Sequence, residues 1–353
     1  MMSFENGMAA IRLEMPACIP RTEYSADGHW ALVSKVTGIP VDPESDPMEK
    51  WEASTAFLKA WDYGMMWNVL ISGTDLDAKR TKMGHGAFAA GGKDYNDEVT
   101  RAFSEPEEVY AIDFDEVYGA VDKKKEKGRF ESYYKMMCNI YTDTVNMTGI
   151  YITAMSGYID MLGWDMLLYA AGYDYPAFCA YANRYSRWVR GYFEALAEST
   201  VPVVMIHDDM VWTDGPFMKP DFYKHIVIPN IKRQLAPLVE AGKKILFTSD
   251  GNYTMLMEDI AACGVTGFCF EPMTDLDFAV EKFGKTHTLI GNADTRILLS
   301  GTKEDIYGEV KRCMDAGRNC PGFMLSVGNH IPANTPIENA LYYNEIYMKL
   351  RKR

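Results

Sequence analysis

From residue 200 onward one unit recurs: a short apolar run followed by a stretch with helical spacing. The runs are VPVVMI (201–206), KILFTS (244–249), VTGFCF (265–270), THTLIG (286–291) and GFMLSV (322–327). Helical periodicity separates them over 219–241, 253–263, 276–283 and 303–317. Each run is apolar on both of its alternating faces, so neither face is left for water. Strands of that kind sit in a parallel sheet covered by helices. Earlier in the chain, IPRTEY (19–24), MMWNVL (65–70) and GIYITAM (149–155) supply three further strands. About eight strands in an α/β alternation is the requirement of a (β/α)8 TIM barrel, expected here as a single domain over residues 1–353. Residues 74–118, which include GHGAFAAGGKDYND, are expected to form an inserted loop or hairpin over one mouth, with Gly91-Gly92 as a hinge.

Several function classes are disfavoured by charge and composition. A formal charge of -13 repels phosphate backbones, and the one basic run, DKKKEKGR at 122–129, is mixed with acids as on a solvated helix face. Nucleic acid is not expected as a partner. No 18-residue uncharged apolar run is present to span a bilayer, and the first 20 residues lack the basic and apolar regions of a secretion signal. A cytoplasmic protein is expected. The seven cysteines form no CxxC pair, which fits neither a disulfide framework nor a zinc ribbon.

Barrel active sites collect at the C-terminal ends of the strands. Here the late strands run into His207-Asp208-Asp209, Asp250-Gly251-Asn252, Glu271-Pro272, Asn292-Ala293-Asp294 and Gly328-Asn329-His330. Any one such group has an alternative as a helix cap or turn former. Five around one mouth point to a shared cavity, with His207, Asp209, Asp250, Asn292 and Asn329 as candidate catalytic groups. Strand alternation places His207 and Asp209 on one side and Asp208 on the other, free to cap a turn or orient a neighbour. An aromatic, Met-rich interior suits a flat apolar ligand, with Tyr24, Trp67, His85, Tyr151 and Trp212 as candidate walls.

The segments VMIHDDM, PDFYKHIVIPNIKRQLAPL, GNADTRILLSGTKEDIYGEVKRCMDAG and LSVGNHIPANTPIENALYY resemble successive blocks of the uroporphyrinogen decarboxylase superfamily. The likeness is distinct over about residues 200–350 and looser before. It implies a (β/α)8 barrel, and it admits both decarboxylases and methyltransferases that work with corrinoid proteins. A uroporphyrinogen decarboxylase holds eight substrate carboxylates with arginines, typically in an Arg-Gln-Ala-Gly-Arg block after the first strand. The corresponding place reads IPRTEYSADG, with Arg21 alone and Glu23 beside it. Together with Asp208, Asp209, Asp250, Glu271 and Asp294, this makes an acidic mouth that opposes a polyanion.

The coenzyme M methyltransferases of the superfamily carry zinc on a His-x-Cys pair and a later Cys. This chain has Thr248-Ser249-Asp250 and Asn329-His330 at those places. Its N-terminal and GNHIP blocks are most similar to the corrinoid-dependent methyltransferases that demethylate methoxylated aromatics. For some of these the resemblance implies a zinc pattern Glu-x14-Glu-x20-His, which reads here as Asp294, Glu309 and His330. Glu309, mid-helix, reads equally as a solvated residue outside the barrel, which makes Asp250 or Glu271 easier partners for Asp294 and His330.

The resulting expectation is an enzyme that takes the methyl group of a small O-methyl donor and passes it to the Co(I) corrinoid of a separate partner protein, with zinc at the mouth. The chain itself has no corrinoid-binding Asp-x-His-x-x-Gly. A decarboxylase of a smaller substrate and a non-catalytic ligand-binding barrel remain as alternatives.

Overall fold

The computed structural model describes residues 2–76, 80–81 and 100–353. His85 and the Gly91-Gly92 pair lie outside the described residues. The main sheet has seven strands in the order Phe323–Met324, Thr288–Ile290, Gly267–Phe270, Lys244–Ser249, Val203–His207, Thr148–Ile150 and Val69–Ile71. Every neighbouring pair is parallel. Met65–Met66 and Val145–Asn146 extend two of these positions as a second parallel pair. The eighth position is one residue wide: Arg21 bridges Tyr63 on one side and Leu325 on the other. That closes the ring, and the fold is a TIM-type α/β barrel.

The four late helices appear at Pro220–Glu240 with a π-helical turn at Tyr223–Val227, at Thr254–Ala261, at Leu276–Phe283 and at Lys303–Gly317. Departures from expectation concentrate in the first half. Residues 19–24 do not form a ladder beyond the Arg21 bridges, and Arg21 and Glu23 are both buried. Arg21 lies between the Trp61 and Tyr347 rings, 4.4 and 4.5 Å from their centroids. Its Nη2 donates to Trp61 O and Asn344 Oδ1, both at 2.7 Å. The expected strand 149–155 stops at Ile150, and helix Met155–Tyr173 begins where it was to end. The described part of 74–118 contains short helices at Pro106–Tyr110 and Phe114–Tyr118.

Side chains alternate strictly along the barrel strands. Val203 and Met205 point inward with Met65, Trp67, Met147 and Leu246. Phe247 and Phe268 point outward into the helix layer. Helix Met2–Ile11 covers the N-terminal end of the barrel, where Ala10 and Ile11 join the inner core. Its approach is close enough that a Cβ on Gly7 would stand 2.1 Å from Gly64 O. With that end sealed, the open end is the one to which the strands deliver His207, Asp250 and Glu271.

Candidate active site at the C-terminal mouth

The inward face that is apolar at Val203 and Met205 becomes polar one pleat later at His207. Its Nε2 lies 2.8 Å from Asp209 Oδ1. Asp209 Oδ1 also accepts from the Asp250 backbone N–H at 3.1 Å, which ties the ends of two neighbouring strands together. His207, Asp209 and Asp250 each offer a ligand atom, and these atoms all lie within 4.8 Å of one another. Tyr151 meets the His207 ring edge-on at 3.8 Å between centroids.

Asp208 points the other way, as alternation requires. Its Oδ1 accepts from the Ser156 N–H at 2.8 Å, in the first turn of helix Met155–Tyr173. Burial pushes its carboxyl up to about 7 against the hydrogen bonds that hold it. It orients a neighbouring helix and is not at the mouth. Ser156 returns the contact, its Oγ accepting from Asp209 N–H at 2.8 Å.

A small cavity of about 20 Å³ opens above this group, lined by Tyr24, Tyr151, His207, Thr248, Asp250 and the 328–330 turn. None of the lining groups among the described residues is a lysine or an arginine. Tyr24 stacks on Trp67, with ring centroids 4.9 Å apart. Burial, with Cys269, Asp250 and Asp209 nearby, holds its phenol far above the usual tyrosine range. Tyr151 is raised in the same way, by burial first and then by Asp209. Both phenols therefore remain protonated donors.

His330 Nδ1 is 2.8 Å from Ser25 Oγ, and its ring meets the edge of Tyr24. Glu271 bridges two strand ends: it accepts from Gly251 N–H at 2.6 Å and from Asn329 Nδ2 at 2.7 Å. Asn329 Oδ1 in turn accepts from His330 N–H at 2.7 Å. Glu271 and Asn329 thus shape the rim that presents His330.

Other expected site residues are placed differently. Asp294 caps helix Thr295–Ser300 and pairs with Arg296 at 2.6 Å. Burial acts upward on its carboxyl, but the Arg296 hydrogen bonds outweigh it and hold it below the usual range. Glu309 is not solvated. It is buried, accepts from Asp294 N–H at 2.8 Å and pairs with Arg312 at 2.7 Å. Asp294, Glu309 and His330 are therefore not gathered around a common point. Asn292 donates to Thr274 O and accepts from Arg312, so its amide holds the barrel rim. Glu23, expected among the acidic groups of the mouth, is fully buried on the outer side, accepting from Tyr343 Oη and Val327 N–H. Trp212 lies in a short hairpin, Val211–Trp212 with Gly215–Pro216, and is 55% exposed beside Trp164 and Phe217. Among the acids expected at the mouth, Asp209, Asp250 and Glu271 remain.

One imidazole and two carboxylates are a donor set suited to zinc, with a position left open for a ligand. The fit holds at His207, Asp209 and Asp250, and not along the spacing Asp294, Glu309, His330. Ser156, Ser25 and Thr248 were not anticipated. Only Thr248 carried a signal, two residues before Asp250 on the same strand face.

The uroporphyrinogen decarboxylase family, URO-D, matches residues 167–348, just over half of the chain. The chain belongs to this family. URO-D relatives include the uroporphyrinogen decarboxylase of Carboxydothermus hydrogenoformans, 28% identical over 159 residues, which are 45% of this chain and 44% of the relative. That of Geobacter sulfurreducens is 24% identical over 203 residues, covering 58% and 57%. The chain spans about half the length of the curated relatives it matches. A solved structure described as a methyltransferase from Methanosarcina mazei superposes with a TM-score of 0.67 at 18% identity, covering 98% of each chain. That likeness shows a shared fold over the first half of the chain as well as the second. No helix among the described residues is long and apolar enough to cross a membrane.

Proposed function

We propose that the chain is a methyltransferase that takes the methyl group of an O-methyl ether, in particular a methoxylated aromatic, and delivers it to the Co(I) corrinoid of a partner protein. The observation that carries this reading is the composition of the mouth. His207 and Asp250 line a small cavity with two protonated phenols, Asp209 stands beside them, and no lysine or arginine lines the cavity among the described residues. The charge of such a mouth opposes a polycarboxylate and favours a neutral donor such as an aryl ether. The full-length likeness to a protein described as a methyltransferase supports the same reading.

An aryl methyl ether has a poor leaving group, the aryloxide, so the ether oxygen must be polarised while the methyl carbon is attacked in line. Asp209 fixes the His207 ring, and together with Asp250 these residues would hold a divalent ion such as zinc. When bound, that ion supplies a Lewis acid for the oxygen. Tyr24 and Tyr151 stay protonated and present hydrogen-bond donors. The seven free cysteines suit a reducing cytoplasm, where a Co(I) partner survives.

A decarboxylase of a smaller substrate is the second reading, favoured by the names of the curated relatives. Against it stands Arg21, the arginine at the place of that enzyme's anion-binding block, which is fully buried in the outer layer. Incubation with a reduced corrinoid protein and a panel of methoxyphenols separates the readings. Loss of the Co(I) spectrum with formation of methyl-Co(III) is expected. CO₂ release from a carboxylated donor without cobalt methylation would replace the proposal with the second reading, and binding without turnover would leave a ligand-binding barrel.

A further inference from the structure

We infer that the Tyr24 hydroxyl is the hydrogen-bond donor that grips the ether oxygen of the methyl donor and holds the negative charge left on that oxygen when the methyl group departs. This rests on the proposed function and assigns one group in the same cavity. The Tyr24 ring is partly buried, but its hydroxyl is buried with no hydrogen-bond partner among the described residues. Burying a hydroxyl without a partner destabilises a protein, so a group kept in that state has its partner elsewhere. The hydroxyl belongs to a ring that lines the cavity with His207 and Asp250. Two contacts fix that ring, the stack on Trp67 at 4.9 Å and the edge contact with His330 at 5.8 Å. A buried donor held in advance is the arrangement that stabilises developing charge on oxygen.

The electron balance defines the role. When the O–CH3 bond breaks, the methyl group leaves without the bonding pair, and the pair stays on oxygen as a phenolate. Tyr24 donates a hydrogen bond and retains its proton, the methyl group bonds to Co(I), and the phenolate is protonated by water on release. Tyr151 is a poorer candidate, since its hydroxyl lies 3.4 Å from His207 Nε2.

Tyr24→Phe removes the hydroxyl and keeps the ring. Calorimetric titration of the protein without any corrinoid, using anisole and its oxygen-free counterpart ethylbenzene, isolates the hydrogen bond. Wild type is expected to prefer anisole by about tenfold, the range of one hydrogen bond. In Tyr24→Phe that preference should vanish while ethylbenzene binds as before, and the melting temperature should hold or rise by about 1–3 °C as an unpartnered buried hydroxyl is removed. With reduced corrinoid protein, the variant should lose activity about tenfold or more on methoxyphenols and less on nitroanisole, whose phenolate is the better leaving group. An anisole preference retained in Tyr24→Phe would overturn the assignment and leave the aryl-ether reading standing. Failure of wild type to bind either compound would overturn both.

Discussion

His207 Nε2 and Asp209 Oδ1 stand 2.8 Å apart on the inward face of one strand end, with Asp250 from the next strand completing the group. Because Asp209 also accepts from the Asp250 backbone, loss of the imidazole leaves the loop geometry anchored. His207→Ala should therefore fold, with a melting temperature near that of wild type, and lower methyl transfer by about a hundredfold or more, the range for a lost acid, base or orienting group. Unchanged transfer rates at an unchanged melting temperature would return the block to a structural role.

The metal expectation separates two ligand sets. Wild type should take up about one zinc per chain, measured by elemental analysis after dialysis, and Asp250→Ala or His207→Ala should lose it. Glu309→Ala should retain it. Retention of zinc in Asp250→Ala with loss in Glu309→Ala would favour the Asp294, Glu309, His330 spacing instead.

Glu309→Ala should instead cost stability. It removes a buried carboxylate that holds the Asp294 N–H and pairs with Arg312, whose side chain is 44% exposed. Allowing for solvent screening of the arginine, about 1–3 kcal/mol is expected, read as a lower midpoint in urea. Glu309→Gln should recover part of it.

Sequence patterning made the late barrel legible because its signals are local. Leu276–Phe283 and Lys303–Gly317 appear with the bounds read from periodicity, and His207, Asp208 and Asp209 divide as strand alternation dictates. The first half was less legible because it departs from strand patterning. Arg21 closes the ring with a single bridged residue flanked by aromatic rings, and no hydrophobic run marks that. Glu309 and Glu23 were misplaced for a common reason: a buried carboxylate looks like a solvated one until its partners, Asp294 N–H and Arg312 or Tyr343 and Val327 N–H, are brought in by the fold. That Asp250 and His207 share one mouth follows from their places at strand ends, but their direct adjacency comes from the register between Val203–His207 and Lys244–Ser249.

Glu23 gives the fold a defined pH response. Burial raises its carboxyl from 4.5 to about 7 against the opposing influence of Arg21. The folded state keeps the proton over a range where the unfolded chain releases it. Stability from this group is therefore complete below about pH 4.5 and is lost as pH rises toward 7, by about 3 kcal/mol in all. Glu23→Gln should remove that slope, so the wild-type-minus-variant difference in unfolding free energy should fall between pH 4.5 and 7. A difference that rises with pH would show a carboxylate held charged.

Gly7→Ala tests the seal on the N-terminal end of the barrel. A Cβ there meets Gly64 O at 2.1 Å, and backbone cannot yield as a side chain can. The helix must shift, with a loss of about 1–3 kcal/mol. A midpoint equal to that of wild type would mean that Met2–Ile11 is not seated against the barrel.

The most direct test of the central claim is a single turnover with a deuterium-labelled methoxyphenol, the protein in excess over a reduced corrinoid protein, followed by mass spectrometry of the corrinoid. Wild type is expected to leave the labelled methyl group on cobalt, and His207→Ala and Asp250→Ala to leave little or none in the same interval. Absence of label on cobalt with wild type for every methoxyarene offered, or equal labelling by wild type and both variants, would contradict the assignment of this mouth as a methyl-transfer site.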